Sequence, residues 1–135
     1  MHFRFLQKVL FKHCDPAGIV FYPRYFEMLN DAVEAMFSDL LDYPFEGMHP
    51  EAGVPTAQIE IRFTAPSRHG DALALDVTIG RIGGSSLGLE TRAICADETR
   101  FEARHTLVHV GATGRPARWP DPLRARVEDL LEGAA

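Results

Sequence analysis

One short segment near the N-terminus holds the residues of this chain best suited to chemistry. Asp15 supplies a carboxylate, and Pro16 directly after it disfavours the helical region for the Asp15 backbone. Gly18 can adopt a positive φ, which lets the chain reverse direction tightly. Pro23 suits the first position of a helix, where its missing N–H costs nothing. The sequence therefore predicts a carboxylate in a stiff turn just ahead of a helix N-terminus.

A carboxylate and a helix N-terminus in this arrangement can together attack a carbonyl and polarise it. The unpaired amides of a first helical turn carry partial positive charge and suit an oxyanion. Asp15 can attack the carbonyl carbon itself or activate a water, and the residues leave both roles open. The competing interpretation is structural, namely that Asp15 only orders an Asx-type turn before the helix.

Two pairs of residues that include a histidine could suggest a nucleophilic dyad or a metal site, but the positions of their side chains argue against both. Cys14 adjoins His13, yet neighbours in an extended segment point to opposite faces, so Cys14 fits a small buried apolar role better than a nucleophile. His105 and His109 on one strand would stand ~13 Å apart, too far to share an ion. We expect no metal site.

A third grouping matches the G-x-S-x-G pattern of serine hydrolases. Residues 84–88 read Gly-Ser-Ser-Leu-Gly, and Asp97 and His105 follow in the chain order of that fold. A nucleophile elbow requires a strand, a sharp turn and then a helix. The residues after Ser86 instead alternate as in a strand, which predicts a tight hairpin. A serine hydrolase using Ser86 stays as the less favoured alternative.

Composition is that of an ordinary globular protein. The 135 residues are 46% apolar and 24% charged with a net charge of −5, which predicts one domain over residues 1–135. The net negative charge argues against a basic surface for nucleic acid. No apolar run approaches the ~18 residues of a membrane span. Two distant cysteines and an N-terminus without signal-peptide features indicate a reduced, cytoplasmic protein.

Hydrophobic periodicity predicts a strand, a long helix, four antiparallel strands and a terminal helix. The predicted elements are a strand over 2–12, a helix over 23–41, a loop over 42–55, strands over 57–64, 73–79, 87–96 and 100–110, and a short helix from 121. Short connections favour antiparallel neighbours, since parallel crossovers need about a dozen residues. One amphipathic helix against one antiparallel sheet is an α+β arrangement.

The run C-D-P-A-G-I-V-F-Y-P, residues 14–23, closely resembles the signature of the 4-hydroxybenzoyl-CoA thioesterase family, which includes short-chain acyl-CoA thioesterases of the Tol–Pal type. The order of elements is similar to that family's hotdog fold, in which an antiparallel sheet wraps a long central helix. The resemblance implies hydrolysis of an acyl-CoA thioester. It assigns Asp15 as the catalytic carboxylate and the backbone N–H of Tyr22 as the group that polarises the carbonyl.

The resemblance also implies a homodimer or homotetramer with sites between subunits, and no cofactor beyond the CoA of the substrate. The predicted substrate contacts are Phe21 and Tyr25 for the acyl group, Ser85 and Ser86 for the pantetheine arm, and Arg81, Arg115 and Arg118 for the CoA phosphates. The acyl group and its carrier, CoA or acyl carrier protein, stay open. So does the alternative that the protein binds acyl thioesters without hydrolysing them.

Overall fold

A long helix lies across one face of an antiparallel sheet in the computed structural model, which describes residues 2–133. The helices are α1 (Tyr22–Asp39), α2 (Phe45–Met48) and α3 (Asp121–Gly133). The strands are β1 (Phe3–Lys8), β2 (Ala52–Gly53), β3 (Thr56–Phe63), β4 (Ala72–Ile82), β5 (Ser86–Cys95), β6 (Glu98–Val108) and β7 (Val110–Gly111). The predicted α+β class, with one long helix and a C-terminal helix, is confirmed.

The core lies between α1 and the inner face of the sheet. Helix α1 buries the apolar residues that recur at helical spacing, namely Tyr25, Met28, Leu29, Ala32, Val33, Met36 and Phe37. The strands meet them with alternate side chains, such as Leu73, Leu75, Val77, Leu87, Leu89 and Phe101. Burial of each large side chain of this kind contributes about 1.5–3 kcal/mol. Within residues 2–133, no helix has the length and apolar character needed to cross a membrane.

The five main strands lie in the order β1-β4-β5-β6-β3, and every neighbouring pair is antiparallel. The expectation that short connections join neighbours holds for β4–β5 and β5–β6 but is wrong for β3, which pairs with β6 instead of β4. Residues 64–71, the crossing segment, must therefore span three strand spacings, about 14 Å. Eight residues reach about 26 Å when extended, so this connection is long enough to pass over its neighbours.

The first predicted strand is too long at its C-terminal end. Strand β1 ends at Lys8, and Phe11–His13 form a single turn of 3₁₀ helix. The apolar residues Val9 and Phe11 extend the alternating pattern, but the backbone turns once the His13 N–H donates to the Leu10 carbonyl at 3.0 Å.

Two further boundaries also differ from the prediction. Helix α1 begins at Tyr22, so Pro23 occupies its second position and not its first. The predicted loop over 42–55 contains the short helix α2 and strand β2, which pairs with β7. Both elements are too short for a periodic pattern to reveal them.

Candidate active site

Asp15 lies in a tight turn fixed by its own backbone and side chain. The Asp15 N–H donates to the Ile19 carbonyl, and the Gly18 N–H donates to the Asp15 carbonyl, each at 2.9 Å. Gly18 has a φ of +83°, as the turn prediction required. One Asp15 carboxylate oxygen accepts from the Ala17 N–H at 2.9 Å. The turn is therefore held by three hydrogen bonds within five residues.

Asp15 as a residue is half-buried, so it is neither sealed in the core nor fully turned to solvent. The hydrogen bond that it accepts from the Ala17 N–H is the contact expected if Asp15 orders an Asx-type turn. Among the described residues, its second oxygen makes no hydrogen bond. One oxygen can thus hold the turn while the other faces a substrate or a water.

The start of α1 presents an amide without a partner. The Phe21 N–H donates to the His13 carbonyl and the Arg24 N–H to the Phe21 carbonyl, each at 2.9 Å. Pro23 has no N–H, and no side chain caps the helix. Across residues 2–133, the Tyr22 N–H has no acceptor. It points from the positive end of the helix dipole, where an oxyanion is stabilised.

Exposed apolar side chains surround this helix start. The rings of Phe21 and Tyr22 lie 5.5 Å apart, and Tyr22 lies 6.1 Å from Phe63 at the end of β3. These three residues, with Phe26 one turn further along α1 and Ile59 further along the same face of β3, are 37–58% exposed and are called the apolar patch below. The exposure of Ile59 and Phe63 could not be predicted from the sequence, because alternation places them on the inner face without showing that β3 is an edge strand.

Tyr25 differs from the other predicted acyl-site residues. It is only 4% exposed and its ring lies between Phe63, at 5.7 Å, and Phe101, at 5.0 Å. Tyr25 is thus mainly a core residue that supports the apolar patch, whereas Phe21 is 46% exposed in this chain.

The predicted pantetheine and phosphate contacts lie together, but far from Asp15. Ser85 accepts from the His109 N–H at 2.6 Å through its carbonyl, and the Ser86 carbonyl accepts from the Gly83 N–H at 2.8 Å. Ser86 begins β5 and is followed by a strand, so the predicted hairpin is confirmed and the geometry of a nucleophile elbow is absent from this part of the described chain.

The three predicted phosphate-binding arginines flank the same hairpin. Arg81 lies on β4, where its guanidinium is 3.4 Å from the Thr106 hydroxyl. Arg115 and Arg118 are exposed in the segment between β7 and α3. That segment adjoins the hairpin, because the Trp119 N–H donates to the Gly84 carbonyl at 3.1 Å.

The Asp15 turn and the Ser85–Ser86 hairpin lie near opposite ends of β5. Tyr25 at the start of α1 contacts Phe101, which pairs with Ala93 on β5. Ser86 lies seven residues earlier on that strand, a distance of roughly 24 Å. A single chain therefore does not bring Asp15 and the serine hairpin together.

The histidines of the described chain do not complete a nucleophile or a metal centre. His13 Nδ1 accepts from the Leu10 N–H at 2.9 Å, while the Cys14 thiol lies 3.8 Å from the Leu10 carbonyl, so the two side chains do not form a dyad. Burial lowers the pKa of His13, with a further contribution from Lys12. Burial also lowers the pKa of His105. Within residues 2–133, no three potential ligands lie close enough to hold a metal.

Comparison with known proteins places this arrangement in a family. Residues 9–127 match the model of a family described as the thioesterase-like superfamily. No protein with a curated description matched the sequence.

Solved structures share the fold over nearly the whole chain. A 1,4-dihydroxy-2-naphthoyl-CoA thioesterase from Synechocystis is 20% identical with a TM-score of 0.87, covering 97% of this chain and 98% of its own. A Staphylococcus aureus protein solved in complex with CoA is 14% identical with a TM-score of 0.88, covering 98% and 85%. A candidate thioesterase from Pseudomonas aeruginosa is 28% identical with a TM-score of 0.84, covering 94% and 99%.

Proposed function

Because the chain belongs to the thioesterase-like superfamily, we propose that it is an acyl-CoA thioesterase with Asp15 as its essential carboxylate. Two observations carry this proposal: the Ala17 N–H braces the Asp15 carboxylate, and the Tyr22 N–H at the start of α1 is left without a partner among the described residues, next to the segment that the Cys14–Val20 bridge joins to the Asp15 turn. The matched region includes both residues. The reaction needs no cofactor beyond the CoA of the substrate.

Tyr22 acts through its backbone. The thioester oxygen accepts a hydrogen bond from the Tyr22 N–H, and the negative charge that develops there is stabilised by the helix dipole. A single preorganised donor of this kind contributes about 2.7–4 kcal/mol to transition-state stabilisation.

Asp15 supplies the attack by one of two routes. In the first, a carboxylate oxygen bonds to the thioester carbon, the C–S bond breaks, CoA leaves as a thiolate, and water hydrolyses the resulting anhydride. In the second, the carboxylate accepts a proton from a water whose oxygen bonds to the same carbon, the C–S bond then breaks, and CoA leaves as a thiolate that takes up the proton. Both routes yield the free acid and CoA.

An aromatic or short acyl group fits the surroundings of the helix start. Phe21 and the rest of the apolar patch offer aromatic and branched surfaces there. The Synechocystis neighbour acts on an aromatic acyl-CoA, and the Staphylococcus aureus neighbour was solved with CoA bound, which supports this substrate class.

A second copy of the chain completes the site in this proposal. Asp15 and the Ser85–Ser86 hairpin lie at opposite ends of one subunit, and β3 is an edge strand bordered by the apolar patch. A copy placed antiparallel along β3 puts the partner's hairpin and its flanking arginines near the Asp15 turn. The patch would then be covered, as large exposed apolar surfaces usually are.

The test measures release of free thiol from a panel of aromatic and short aliphatic acyl-CoAs. We expect turnover by the wild type and loss of turnover in Asp15→Asn, whereas Ser86→Ala should keep most of kcat and change mainly KM, because Ser86 is a predicted substrate contact and not the attacking group. Loss of turnover in Ser86→Ala but not in Asp15→Asn would show that the protein is a serine hydrolase. Tight binding of acyl-CoA without hydrolysis would assign a binding protein, in which the Ala17 contact makes Asp15 purely structural.

A further inference from the structure

The crossing segment, residues 64–71, contacts the Asp15 turn directly. The Val20 N–H donates to the Ser67 carbonyl at 2.9 Å, and Ile19 forms an antiparallel bridge with Arg68. Ile19 in turn accepts from the Asp15 N–H at 2.9 Å. The backbone of the turn is therefore attached directly to the crossing segment.

A buried arginine holds the crossing segment in place. Arg100 is only 9% exposed, and its guanidinium donates to the Pro66 carbonyl and the Ser67 hydroxyl, each at 3.1 Å. It also donates to the Asp71 carboxylate at 2.7 Å and lies 2.9 Å from a carboxylate oxygen of Glu98. One terminal nitrogen, Nη1, makes the contacts to Pro66, Ser67 and Asp71, and Nε faces Glu98, so the planar guanidinium gathers four acceptors at once.

Asp71 closes the other end of the same segment. The Arg68 N–H donates to its carboxylate at 2.9 Å. Its backbone carbonyl accepts from the Val9 N–H at 2.8 Å, which ties the segment to the chain just before the 3₁₀ turn. The Arg100 hydrogen bond and then the Arg68 amide hold the pKa of Asp71 below its usual value, so the pair is ionised at neutral pH.

We propose that Arg100 and Asp71 are positioning residues for the thioesterase reaction. They fix the crossing segment, the segment fixes residues 19 and 20, and these fix the direction of the Asp15 carboxylate relative to the Tyr22 N–H. The expected effect on kcat rests on the proposed function. The expected effect on the rigidity of the Asp15 turn does not depend on it.

The chain offers a matched control at the far edge of the sheet. Arg4 donates to Asp76 at 2.7 and 2.9 Å, and this contact lowers the pKa of Asp76 as Arg100 lowers that of Asp71. Asp71→Asn and Asp76→Asn therefore remove the same kind of pair, but only the first touches the crossing segment.

Hydrogen exchange tests the structural step without any substrate. In Asp71→Asn we expect the amides of Asp15 and Val20 to exchange about tenfold faster or more, with no change in Asp76→Asn. Arg100→Lys, which keeps the charge but not the fork, should give an intermediate increase. Unchanged exchange at both amides in Asp71→Asn would overturn the proposal.

Kinetics test the catalytic step. We expect kcat of Asp71→Asn to fall about 10–100-fold with KM nearly unchanged, and Asp76→Asn to match the wild type. In an Asp15→Asn background, Asp71→Asn should cause no further loss, because it acts through Asp15. An equal loss of kcat in Asp76→Asn would refute the positioning role. So would a further loss of kcat when Asp71→Asn is added to Asp15→Asn. A wild type without turnover but with the expected exchange pattern would refute only the proposed function.

Discussion

Replacement of Gly18 by alanine tests whether the shape of the Asp15 turn matters for activity. Gly18 has a φ of +83°, and a Cβ built on it meets no atom within 4 Å. The substitution therefore costs only the strain of a left-handed backbone, about 1–2 kcal/mol. We expect the turn to relieve part of this strain by changing its backbone angles, and the hydrogen bonds within the turn should carry that change to Asp15.

Gly114 provides the matched control for this substitution. Its φ is +81° and a Cβ there is also unobstructed, but it lies in the loop after β7, away from the Asp15 turn. Gly114→Ala should cost the same 1–2 kcal/mol, which for a chain of this length lowers Tm by about 4–8 °C.

The assay compares thermal unfolding with acyl-CoA hydrolysis for the two variants. We expect equal losses of Tm, with kcat reduced about 10–100-fold only in Gly18→Ala, because small misplacements of a reacting group cost rate steeply, whereas a change beside Arg115 would affect KM. Full activity in Gly18→Ala, or the same loss in Gly114→Ala, would show that the geometry of the turn does not control the reaction.

Three further predictions concern stability and assembly. Tyr43 donates to Nε2 of buried His109 at 2.9 Å, so Tyr43→Phe should cost about 1 kcal/mol in chemical denaturation while kcat stays unchanged; a lower kcat would place this pair in the site. Phe63→Asp on the apolar patch should shift sedimentation toward the monomer, whereas Arg62→Ser on the opposite face of β3 should not; identical behaviour would argue against assembly along this edge. Burial lowers the folded-state pKa of His105 below the unfolded value near 6.5. The unfolded state therefore binds more protons, and the free energy of unfolding should fall as pH drops below about 6.5 until the folded-state pKa is reached. His105→Leu should flatten this dependence, and an unchanged slope would contradict the assignment.

Local features of the fold could be predicted from the sequence because consecutive residues encode them. The alternation in β4 and β5 reflects strands with one face on the core, and the glycine–serine run between them encodes the hairpin. The Asp15 turn could be predicted for the same reason, since Gly18 supplies its positive φ.

Long-range features could not be predicted, because they depend on where the connections lead. The period of β3 shows which side chains share a face but not that β6 is its neighbour, so the exposed position of Phe63 was missed. Arg100 was missed because the alternation of β6 assigns it to the solvent face, whereas the crossing segment buries it. The distance between Ser86 and the Asp15 turn likewise follows from sheet pairing alone.

Binding and turnover of one hydrolysed acyl-CoA, measured together in Asp15→Asn, show most directly whether this carboxylate is essential. The substitution is nearly isosteric and keeps an oxygen that can accept from the Ala17 N–H, so the turn and the Tyr22 amide should remain in place. We predict a Kd within a few-fold of the wild type and a kcat reduced by about a thousandfold or more, as for loss of an essential nucleophile or base. A variant that hydrolyses the thioester at a rate close to that of the wild type would contradict the account.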